Sequence, residues 1–370
     1  MMDEKEWYKI TNIDTIDSPA LVVYPERVKA NIRAALNIVS SPDVLRPHAK
    51  TSKISEVATL LMNEGVSKFK CATIAEAEML ALAGAKDVLL AYQPVGPKLL
   101  RLLQLVKAYP ATAFSCLADS IANAQHLSDV CAAQKITLPV FIDLNIGMNR
   151  TGILPGKAFE LFGVIRQLPG VKPVGLHAYD GHIHDTDIGV RTRRSNEGFA
   201  PVLTLADKME SVTGEAPVIV AGGTPTFPVH AKRPGVECSP GTFVFSDWNY
   251  KHDLPDEPFD YAALIITRVV SIIDQQTVCL DLGHKSVAAE NPLPRVHFLN
   301  MPAAQPIAHS EEHLVVKLND VSGVSIGDAW YGVPAHICPT VALYEKAYTI
   351  EKGHMTGDWK VIARNRFINF

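Results

Sequence analysis

The sequence lacks several features that would place it in a particular class of protein. No apolar run in its 370 residues is long enough to cross a membrane, and no long run of lysine and arginine is present. We therefore expect neither a membrane nor a nucleic acid as a partner. The 6 cysteines are scattered without a Cys-x-x-Cys pair, and the acidic N-terminal segment lacks the apolar core of a signal peptide. Both features favour a reduced, cytoplasmic protein.

No Gly-x-Gly-x-x-Gly motif follows the first predicted strand, which argues against a dinucleotide-binding fold. The composition itself is that of an ordinary enzyme with a large core, because 47% of the residues are hydrophobic and 20% are charged, with a net charge of -4. A chain of this length is expected to form two domains, or one barrel with an extension.

Residues 21–245 alternate short apolar segments with helical patterns, after a first strand at 17–25. Eight further strands are predicted at 44–50, 68–73, 87–92, 111–117, 139–145, 173–179, 216–222 and 236–242. Helices are predicted at 26–39, 53–64, 75–83, 97–108, 119–134, 157–168 and 191–213. Such alternation implies parallel strands with right-handed crossovers. Eight of them predict an α/β fold with a closed (β/α)8 TIM-type barrel, and an open doubly wound sheet is the alternative.

The pattern changes after residue 245. Residues 246–370 are rich in Val, Ile, Tyr and Thr, with Gly and Pro between the apolar segments, and they show no helical periodicity. This pattern predicts a second, mostly antiparallel β domain. Residues 1–20 are expected to pair with it.

Lys50 stands at the predicted junction between the first barrel strand and the helix that follows. Thr51 and Ser52 are candidate caps for that helix, and Glu56 can complete a capping box. Catalytic side chains of such barrels lie at this rim, and a lysine there can form a Schiff base. The alternative is an ordinary solvated lysine in a loop.

Glycines and threonines follow the seventh and eighth predicted strands, in 222–224 and 241–242. Backbone N–H groups of glycines together with threonine hydroxyls suit a phosphate, although two tight turns would have the same composition. A phosphate site after strands 7 and 8 recurs in this fold. Because Lys50 faces this site across neighbouring strands, a phosphorylated aldehyde such as pyridoxal phosphate (PLP) would bridge the two.

Two histidine patterns suggest metal sites. His182 and His184 lie at i, i+2 after the sixth strand, with Asp185, Asp187 and His230 as possible further ligands. This arrangement predicts a zinc site of a barrel hydrolase, which would need no PLP.

The second pattern is His336-Ile337-Cys338 in the C-terminal part of the chain. On a β stretch these two side chains share a face, so an imidazole and a thiolate could bind one soft or borderline ion. The alternative is a buried cysteine beside a core histidine.

Taken together, these segments resemble the fold-type III PLP enzymes with the alanine racemase barrel, and more closely their D-threonine aldolase and D-serine dehydratase branch. The resemblance implies that Lys50 carries PLP and that His336 and Cys338 hold a divalent metal, Zn or Mn. It also implies a homodimer. Arg150 in Gly147–Gly152 matches a family element, and Ser310–His313 matches a β-domain motif. The implied cofactor-binding residues are Lys50, His48, Arg150, Tyr179, Gly222, Gly223, Thr224, Gly241 and Thr242, of which Lys50, Tyr179 and Arg150 are also the expected catalytic residues.

The resemblance implies a lyase acting on D-3-hydroxy amino acids, either by retro-aldol cleavage to glycine and an aldehyde or by dehydration to a 2-oxo acid and ammonia. The aldolase is our first expectation. Cys338 favours the dehydratase, because aldolases of this branch usually carry His-x-Asp. Ser239 replaces the arginine that alanine racemases place near the pyridine nitrogen, which argues against a racemase. A PLP-binding protein without catalytic activity would lack the second domain.

Overall fold

The computed structural model describes residues 6–370 and contains two sheets. In the first part of the chain the elements are β1 (Ala20–Val23), α1 (Pro25–Leu36), α2 (Ser55–Asn63), β2 (Lys68–Cys71), α3 (Ile74–Leu82), β3 (Asp87–Leu90), α4 (Pro97–Ala108), β4 (Ala113–Ala118), α5 (Ile121–Ala133), β5 (Leu138–Leu144), α6 (Pro155–Ile165), β6 (Val171–Ala178), α7 (Ile188–Thr213), β7 (Val218–Ala221), α8 (Phe227–His230) and β8 (Val236–Cys238). After residue 245 they are α9 (Trp248–Asp253), β9 (Ala263–Ile272), β10 (Thr277–Leu280), β11 (Val296–Phe298), β12 (Gln305–His309), β13 (Leu314–Lys317), β14 (Ala329–Pro334), α10 (Ile337–Val341), β15 (Lys346–Glu351) and β16 (His354–Lys360).

The first sheet has seven strands in sequence order, β2 to β8, and all of them are parallel. This curled sheet with its crossover helices, followed by a mostly antiparallel sheet, confirms the predicted fold class. The predicted helices are also present, with ends shifted by three residues or fewer. No helix among residues 6–370 combines the length and the apolar character that a membrane crossing requires.

The segment predicted as the first barrel strand, residues 44–50, is not a regular strand. It lies between β8 and β2 and makes only isolated bridges, Leu45 with Cys238 and His48 with Lys70. Pro47 has no N–H to donate, and this interrupts the ladder. The segment nevertheless occupies the position of the eighth strand, because the Arg46 N–H donates to the Cys238 carbonyl at 2.8 Å and the Ala49 N–H to the Lys70 carbonyl at 2.8 Å.

A buried ion-pair cluster fixes this segment. Arg46 is only 1% exposed, and its Nε donates to Glu237 Oε2 of β8 at 2.6 Å. Its two terminal nitrogens bind the carboxylate of Asp87 on β3 at 2.6 and 3.0 Å. A guanidinium can hold two carboxylates in this way because its donors form a planar fork. Arg46 therefore joins both edges of the irregular segment to the sheet.

The helix after Lys50 starts later than its capping signal predicted. It begins at Ser55 with Ile54 as N-cap, and no side chain caps it, so the prediction that Thr51 and Ser52 cap this helix is wrong. Lys53 has a positive φ of 54°, which keeps residues 51–54 out of the helix. Thr51 is thereby released for a contact within the site.

The second sheet has nine strands in the order β12-β13-β10-β9-β1-β15-β16, with β14 pairing β9 and β11. All pairs are antiparallel except β1 with β15. Strand β1 thus belongs to this sheet, although residues 21–23 were predicted to lie in the barrel. All four of its residues are buried, so no alternation of buried and exposed residues indicated which sheet it joins.

The segment 1–20 was predicted to pair with the second domain. Residues 1–5 lie outside the described residues, and the Thr11 N–H donates to the Gly353 carbonyl, between β15 and β16, at 2.7 Å. We propose that the chain divides into its two units near residue 245.

Residues after 245 include two short helices, α9 and α10, where no helix was predicted. They have six and five residues, which is too short for a helical period to be visible in the sequence. Asp247 links them: one carboxylate oxygen caps α9 through the Tyr250 N–H at 3.0 Å, and the other accepts the Ile337 N–H at 3.1 Å. This bridge places the start of α10 against the barrel.

Candidate active site

Several predicted site residues meet at the carboxyl ends of the parallel strands. The Lys50 Nζ lies 6.0 Å from the centroid of the Tyr179 ring, and the Arg150 guanidinium carbon lies 5.1 Å from it. Tyr179 follows β6, and Arg150 lies in the exposed loop after β5. Because carboxyl ends of parallel strands share one edge, Lys50 and Arg150, which are far apart in sequence, both lie near the same aromatic ring.

His48 organises the turn that carries Lys50. Its Nδ1 accepts the Lys50 backbone N–H at 3.3 Å. Burial lowers the pKa of His48 well below its ordinary value, and the positive charges of Lys50 and Lys70 lower it further. A neutral imidazole keeps the lone pair that this hydrogen bond needs. His48 therefore supports the loop as an acceptor.

The glycine and threonine turns form one cup. Thr224 Oγ1 accepts the N–H of Gly241 at 3.2 Å and that of Thr242 at 3.1 Å, which joins the turn after β7 to the turn after β8. The Gly223 N–H points at Thr226 Oγ1 at 3.4 Å. Converging backbone N–H groups and hydroxyls are the donors that a phosphate takes. The cup fits the phosphate of PLP in its chemistry and in its position beside Lys50.

Two glycines of the cup leave no room for a side chain. A Cβ on Gly241 would lie 3.1 Å from His48 Cβ and 3.1 Å from the His48 carbonyl oxygen. Gly222 has a φ of +77°, and a Cβ there would lie 2.8 Å from Cδ2 of His230. His230 is fully buried and its Nε2 contacts Asp180 Oδ2 at 2.8 Å, so it cannot give way.

Replacing Gly222 with alanine is expected to lower the affinity of the protein for PLP, because the added Cβ clashes with His230 and displaces the cup. The positive φ adds about 1–3 kcal/mol of backbone strain. Gly214 is the matched control, because it has the same φ of +77° but nothing within 4 Å of an added Cβ. G214A carries the backbone strain alone and should destabilise the fold without changing the PLP dissociation constant. Equal PLP affinities of G222A and G214A would contradict the role of the cup.

His336 and Cys338 come together beside Lys50, but not on a shared strand face as predicted. His336 is the extended N-cap of α10, and Cys338 lies in its first turn. Cys338 Sγ lies 3.1 Å from Thr51 Oγ1 and 3.4 Å from Thr242 Oγ1. The pair from the second half of the chain thus reaches both the Lys50 loop and the cup of the same chain.

The two side chains fit a metal ion in their chemistry. His336 Nδ1 contacts Glu290 Oε1 at 2.6 Å, which orients the ring and leaves Nε2 for coordination. Burial alone would raise the pKa of Cys338, but His336 and the charge of Lys50 lower it below its ordinary value, which favours the thiolate. Among residues 6–370 no group of three His, Cys, Asp or Glu side chains is placed to hold an ion. Two protein ligands would leave coordination positions for substrate and water, as in catalytic sites.

The rival pattern around His182 does not form a metal site among the described residues. His230 is bound to Asp180, Asp185 pairs with Arg194 at 2.7 Å, and Asp187 caps α7 through the Val190 N–H at 2.8 Å. These ligands therefore have other partners, and His184 is exposed. The Ser310–His313 motif forms the turn between β12 and β13, where Glu311 and Glu312 pair with Lys285.

The structure contains a buried carboxylate–imidazole pair inside the barrel that was not predicted from the sequence. Asp143 Oδ1 lies 2.7 Å from His177 Nδ1, and Thr151 and Gln93 donate to Asp143 Oδ2 at 2.9 Å each. Although burial raises the pKa of Asp143, these hydrogen bonds lower it below its usual value. His177 Nε2 is buried and has no hydrogen-bond partner in the part of the chain described. Such an atom is left with capacity for one more polar partner. The signal was available, because Asp143 and His177 occupy paired positions near the carboxyl ends of β5 and β6.

A second lysine, Lys70 of β2, was also missed. It is 2% exposed, and its ammonium donates to Ser239 Oγ and lies 5.4 Å from the centroid of the Tyr179 ring. Burial, with the positive charges of Lys50 and Arg150, lowers the pKa of Lys70 to about 7. An alternation of charged and apolar residues in a short strand does not reveal which face points inward, so the burial of this lysine could not be predicted from the sequence.

The chain is similar to known proteins along most of its length. Residues 23–247 match the family model of the alanine racemase N-terminal domain, and residues 262–350 match a domain model named after serine dehydratase. The chain is 28% identical to a D-threonine aldolase of an Arthrobacter species over 362 residues, which cover 94% of this chain and 93% of the relative. It is 29% identical to a D-threo-3-hydroxyaspartate dehydratase of Delftia sp. (strain HT23) over 239 residues, or 63% of this chain and 62% of the relative. The crystal structure of D-threonine aldolase from Filomicrobium marinum superposes with a TM-score of 0.89 at 27% identity, covering 96% of this chain and 98% of that structure.

Proposed function

Because the chain belongs to the family of the alanine racemase N-terminal domain, and so to the fold-type III PLP enzymes, we propose that it is a PLP- and divalent-metal-dependent lyase that cleaves D-3-hydroxy amino acids like a D-threonine aldolase. One observation carries this proposal. Cys338 Sγ lies 3.1 Å from the hydroxyl of Thr51, the residue that follows Lys50, so the metal pair lies against the loop that carries the lysine.

Different residues of the chain would bind the different parts of PLP and the metal ion. Lys50 would hold PLP covalently, the cup at Gly222–Thr224 and Gly241–Thr242 would bind its phosphate, and Tyr179 would pack against its ring. PLP supplies an electron sink when it is bound there. His336 and Cys338 would hold Zn or Mn, which supplies a Lewis acid for the β-hydroxyl of the substrate. The Arg150 guanidinium, 5.1 Å from the Tyr179 centroid, is placed to bind an anionic oxygen of the cofactor or the substrate.

The alternative reaction is dehydration of D-serine or D-threo-3-hydroxyaspartate. It is favoured by Cys338 in a His-x-Cys pattern and by the match of residues 262–350 to a domain named after serine dehydratase. In dehydration Lys50 would take the α-proton and the hydroxyl would leave, giving a 2-oxo acid and ammonia. In aldol cleavage a base would take the hydroxyl proton and the Cα–Cβ bond would break. Both reactions use the same residues, and the overall similarity to an aldolase over 94% of the chain favours cleavage.

We also propose a homodimer located in the cytoplasm. The site does not need a partner subunit to bring the lysine and the metal pair together, since Cys338 contacts Thr51 and Thr242 of its own chain. A partner would instead cover the open rim of the site, where Arg150 is exposed.

Product analysis tests the function. The purified protein is incubated with PLP, Mn²⁺ or Zn²⁺, and D-threonine, D-serine or D-threo-3-hydroxyaspartate, with L-threonine as the stereochemical control. We expect glycine and an aldehyde from a D-substrate and nothing from L-threonine. Ammonia and a 2-oxo acid would establish the dehydratase instead. Turnover that does not require PLP would contradict both forms of the proposal.

A further inference from the structure

The site contains one buried cation, Lys70, to which the proposed function assigns no role. Lys70 points into the barrel from β2, and its hydrogen-bond partner is the neutral hydroxyl of Ser239 rather than a carboxylate. Burying an ammonium group is costly unless hydrogen bonds or charges compensate for it. One hydroxyl accepts one of three N–H bonds, so the group is left with donors for another acceptor.

The position of Lys70 relates it to the cofactor cup. Ser239, which accepts its N–H, directly precedes the turn with Gly241, and the Ser239 hydroxyl donates to the Gly222 carbonyl oxygen at 2.7 Å. Through Ser239, Lys70 is therefore linked by hydrogen bonds to the turn after β7 and to the turn after β8, which form the cup. It also lies 5.4 Å from the Tyr179 centroid, within the same ring of cations as Lys50 and Arg150.

The polar atoms of PLP can be assigned to partners in turn. In the proposed function its phosphate binds in the cup and its aldehyde carbon is bonded to Lys50. Its ring oxygen would accept a hydrogen bond from Arg150, an exposed donor at the rim. The pyridine nitrogen, which lies across the ring from the aldehyde-bearing carbon, remains. It is a hydrogen-bond acceptor when unprotonated, so it requires a donor from the barrel interior.

Two other buried polar groups of the site, His177 and Ser239, cannot supply that donor. The His177 Nδ1 proton goes to the ionised Asp143, so the unpartnered Nε2 carries a lone pair and accepts. The hydroxyl proton of Ser239 goes to the Gly222 carbonyl. Resting on the proposed function, we propose that Lys70 binds the pyridine nitrogen of PLP as a hydrogen-bond donor, with Ser239 as the residue that positions its side chain.

This assignment has a chemical consequence. An ammonium group that donates to the pyridine nitrogen disfavours its protonation, because a second positive charge would then lie beside the first. An unprotonated ring is a weaker electron sink, so the reaction depends more strongly on the metal bound by His336 and Cys338. The site would thus combine a cofactor whose capacity to accept electrons is reduced with a metal ion that acts as a Lewis acid.

The charges around Lys70 make its binding role depend on pH. Lys50 and Arg150 face it as positive groups, Asp143 and Asp180 as negative groups, and burial keeps the pKa of both His48 and His177 below the ordinary value. With a pKa of about 7, Lys70 is protonated below neutrality and loses its proton above it. A ligand that needs the charged form raises that pKa on binding, so the contribution of Lys70 to its affinity is steady below about pH 7 and falls as the pH rises.

The test uses pyridoxine 5′-phosphate, which has no aldehyde and cannot react with Lys50. Its dissociation constant is measured between pH 6 and 9 on the full-length protein stripped of PLP. The ligand's own phosphate and ring nitrogen also titrate in this range, but they affect every variant alike, so the comparison with K70R isolates Lys70. Relative to K70R, whose arginine stays charged, the wild type should lose affinity above about pH 7 by up to about tenfold per pH unit. K70M should bind about 10- to 100-fold more weakly than the wild type at pH 6.

Separate measurements distinguish this inference from the proposed function. Borohydride reduction of the PLP-loaded wild type followed by peptide mapping shows whether Lys50 carries PLP; an unmodified Lys50 would overturn the proposed function. If Lys50 is modified but K70M binds pyridoxine 5′-phosphate with wild-type affinity and pH profile, the role of Lys70 is wrong. K98M, which removes an exposed lysine at the same rim, is the matched control. A misfolded K70M would leave the wild-type pH profile and K70R to decide.

Discussion

Replacing Lys50 with alanine will remove the covalent bond between the protein and PLP and will lower lyase activity by at least about 100-fold. Lys50 is the cation that adjoins both the cup and the metal pair, since the next residue, Thr51, contacts Cys338 at 3.1 Å. Without its amine the cofactor can bind only through its phosphate and ring contacts. The measurement is borohydride reduction followed by mass analysis of the peptides, together with the loss of the visible absorbance of the bound cofactor.

The control for this result is K98A. Lys98 is exposed on α4 at the same face of the barrel, with its ammonium 4.6 Å from the Tyr92 ring centroid. PLP reacts with accessible lysines in general, so a modified peptide has meaning only if K98A leaves the labelling of Lys50 unchanged. A K50A protein that keeps its visible absorbance and its activity would remove Lys50 from the mechanism and make Lys70 the next lysine to test.

Replacing Cys338 with alanine will lower the affinity for Zn²⁺ or Mn²⁺ by more than about 100-fold and will abolish turnover of D-3-hydroxy amino acids. Replacing a residue that merely supports a ligand already costs about 10- to 100-fold in metal affinity, and Cys338 would be a ligand itself. His336 would remain, with its Nδ1 bound to Glu290 at 2.6 Å, but one imidazole is a poor site. The metal content of the purified variant and its activity with added metal check this result.

Two further variants sharpen the metal experiment. C338D restores an anionic ligand at the same position, and we expect it to recover metal binding while favouring cleavage over dehydration. C279A removes a thiol that is buried in the second sheet, with its Sγ contacting the Leu280 carbonyl at 3.7 Å, and should change neither metal content nor products. Full activity of C338A after removal of metal by a chelator would refute the metal pair.

The aldolase and dehydratase readings predict different behaviour of these variants. If the protein is a dehydratase, K50A loses the base for the α-proton, and C338A loses the group that helps the hydroxyl to leave. If it is an aldolase, the essential proton is that of the hydroxyl, and exchange of the α-proton with solvent is not required for cleavage. Turnover of D-threonine deuterated at Cα therefore separates the two reactions in the wild type, because dehydration removes that deuteron whereas cleavage leaves it in the glycine product.

The sequence alone determined those parts of the protein that depend on local patterns. The alternation of apolar segments and helical periods predicted the parallel barrel, and residues 97–108, for example, form the helix α4 with the predicted ends. Lys50 and the glycines at 222 and 241 were predicted as site residues because strand ends and turns have their own residue types. These signals extend over about 11–18 residues, which is the range over which backbone propensity and side-chain period act.

Only the tertiary structure decided how these parts meet. Residues 51 and 338 are in contact although 287 positions separate them, and no periodicity can encode the packing of one sheet against another. Strand β1 joins the second sheet, and Pro47 makes the eighth barrel position irregular, because hydrogen-bond partners are chosen by the assembled sheets. His336 and Cys338 come together through a helix start held by Asp247 rather than through a strand. Lys70 became a candidate only when burial and the neighbouring Ser239 showed which way its side chain points. The chemistry that single residues can perform could therefore be predicted from the sequence, while the way they come together at one site depends on the fold.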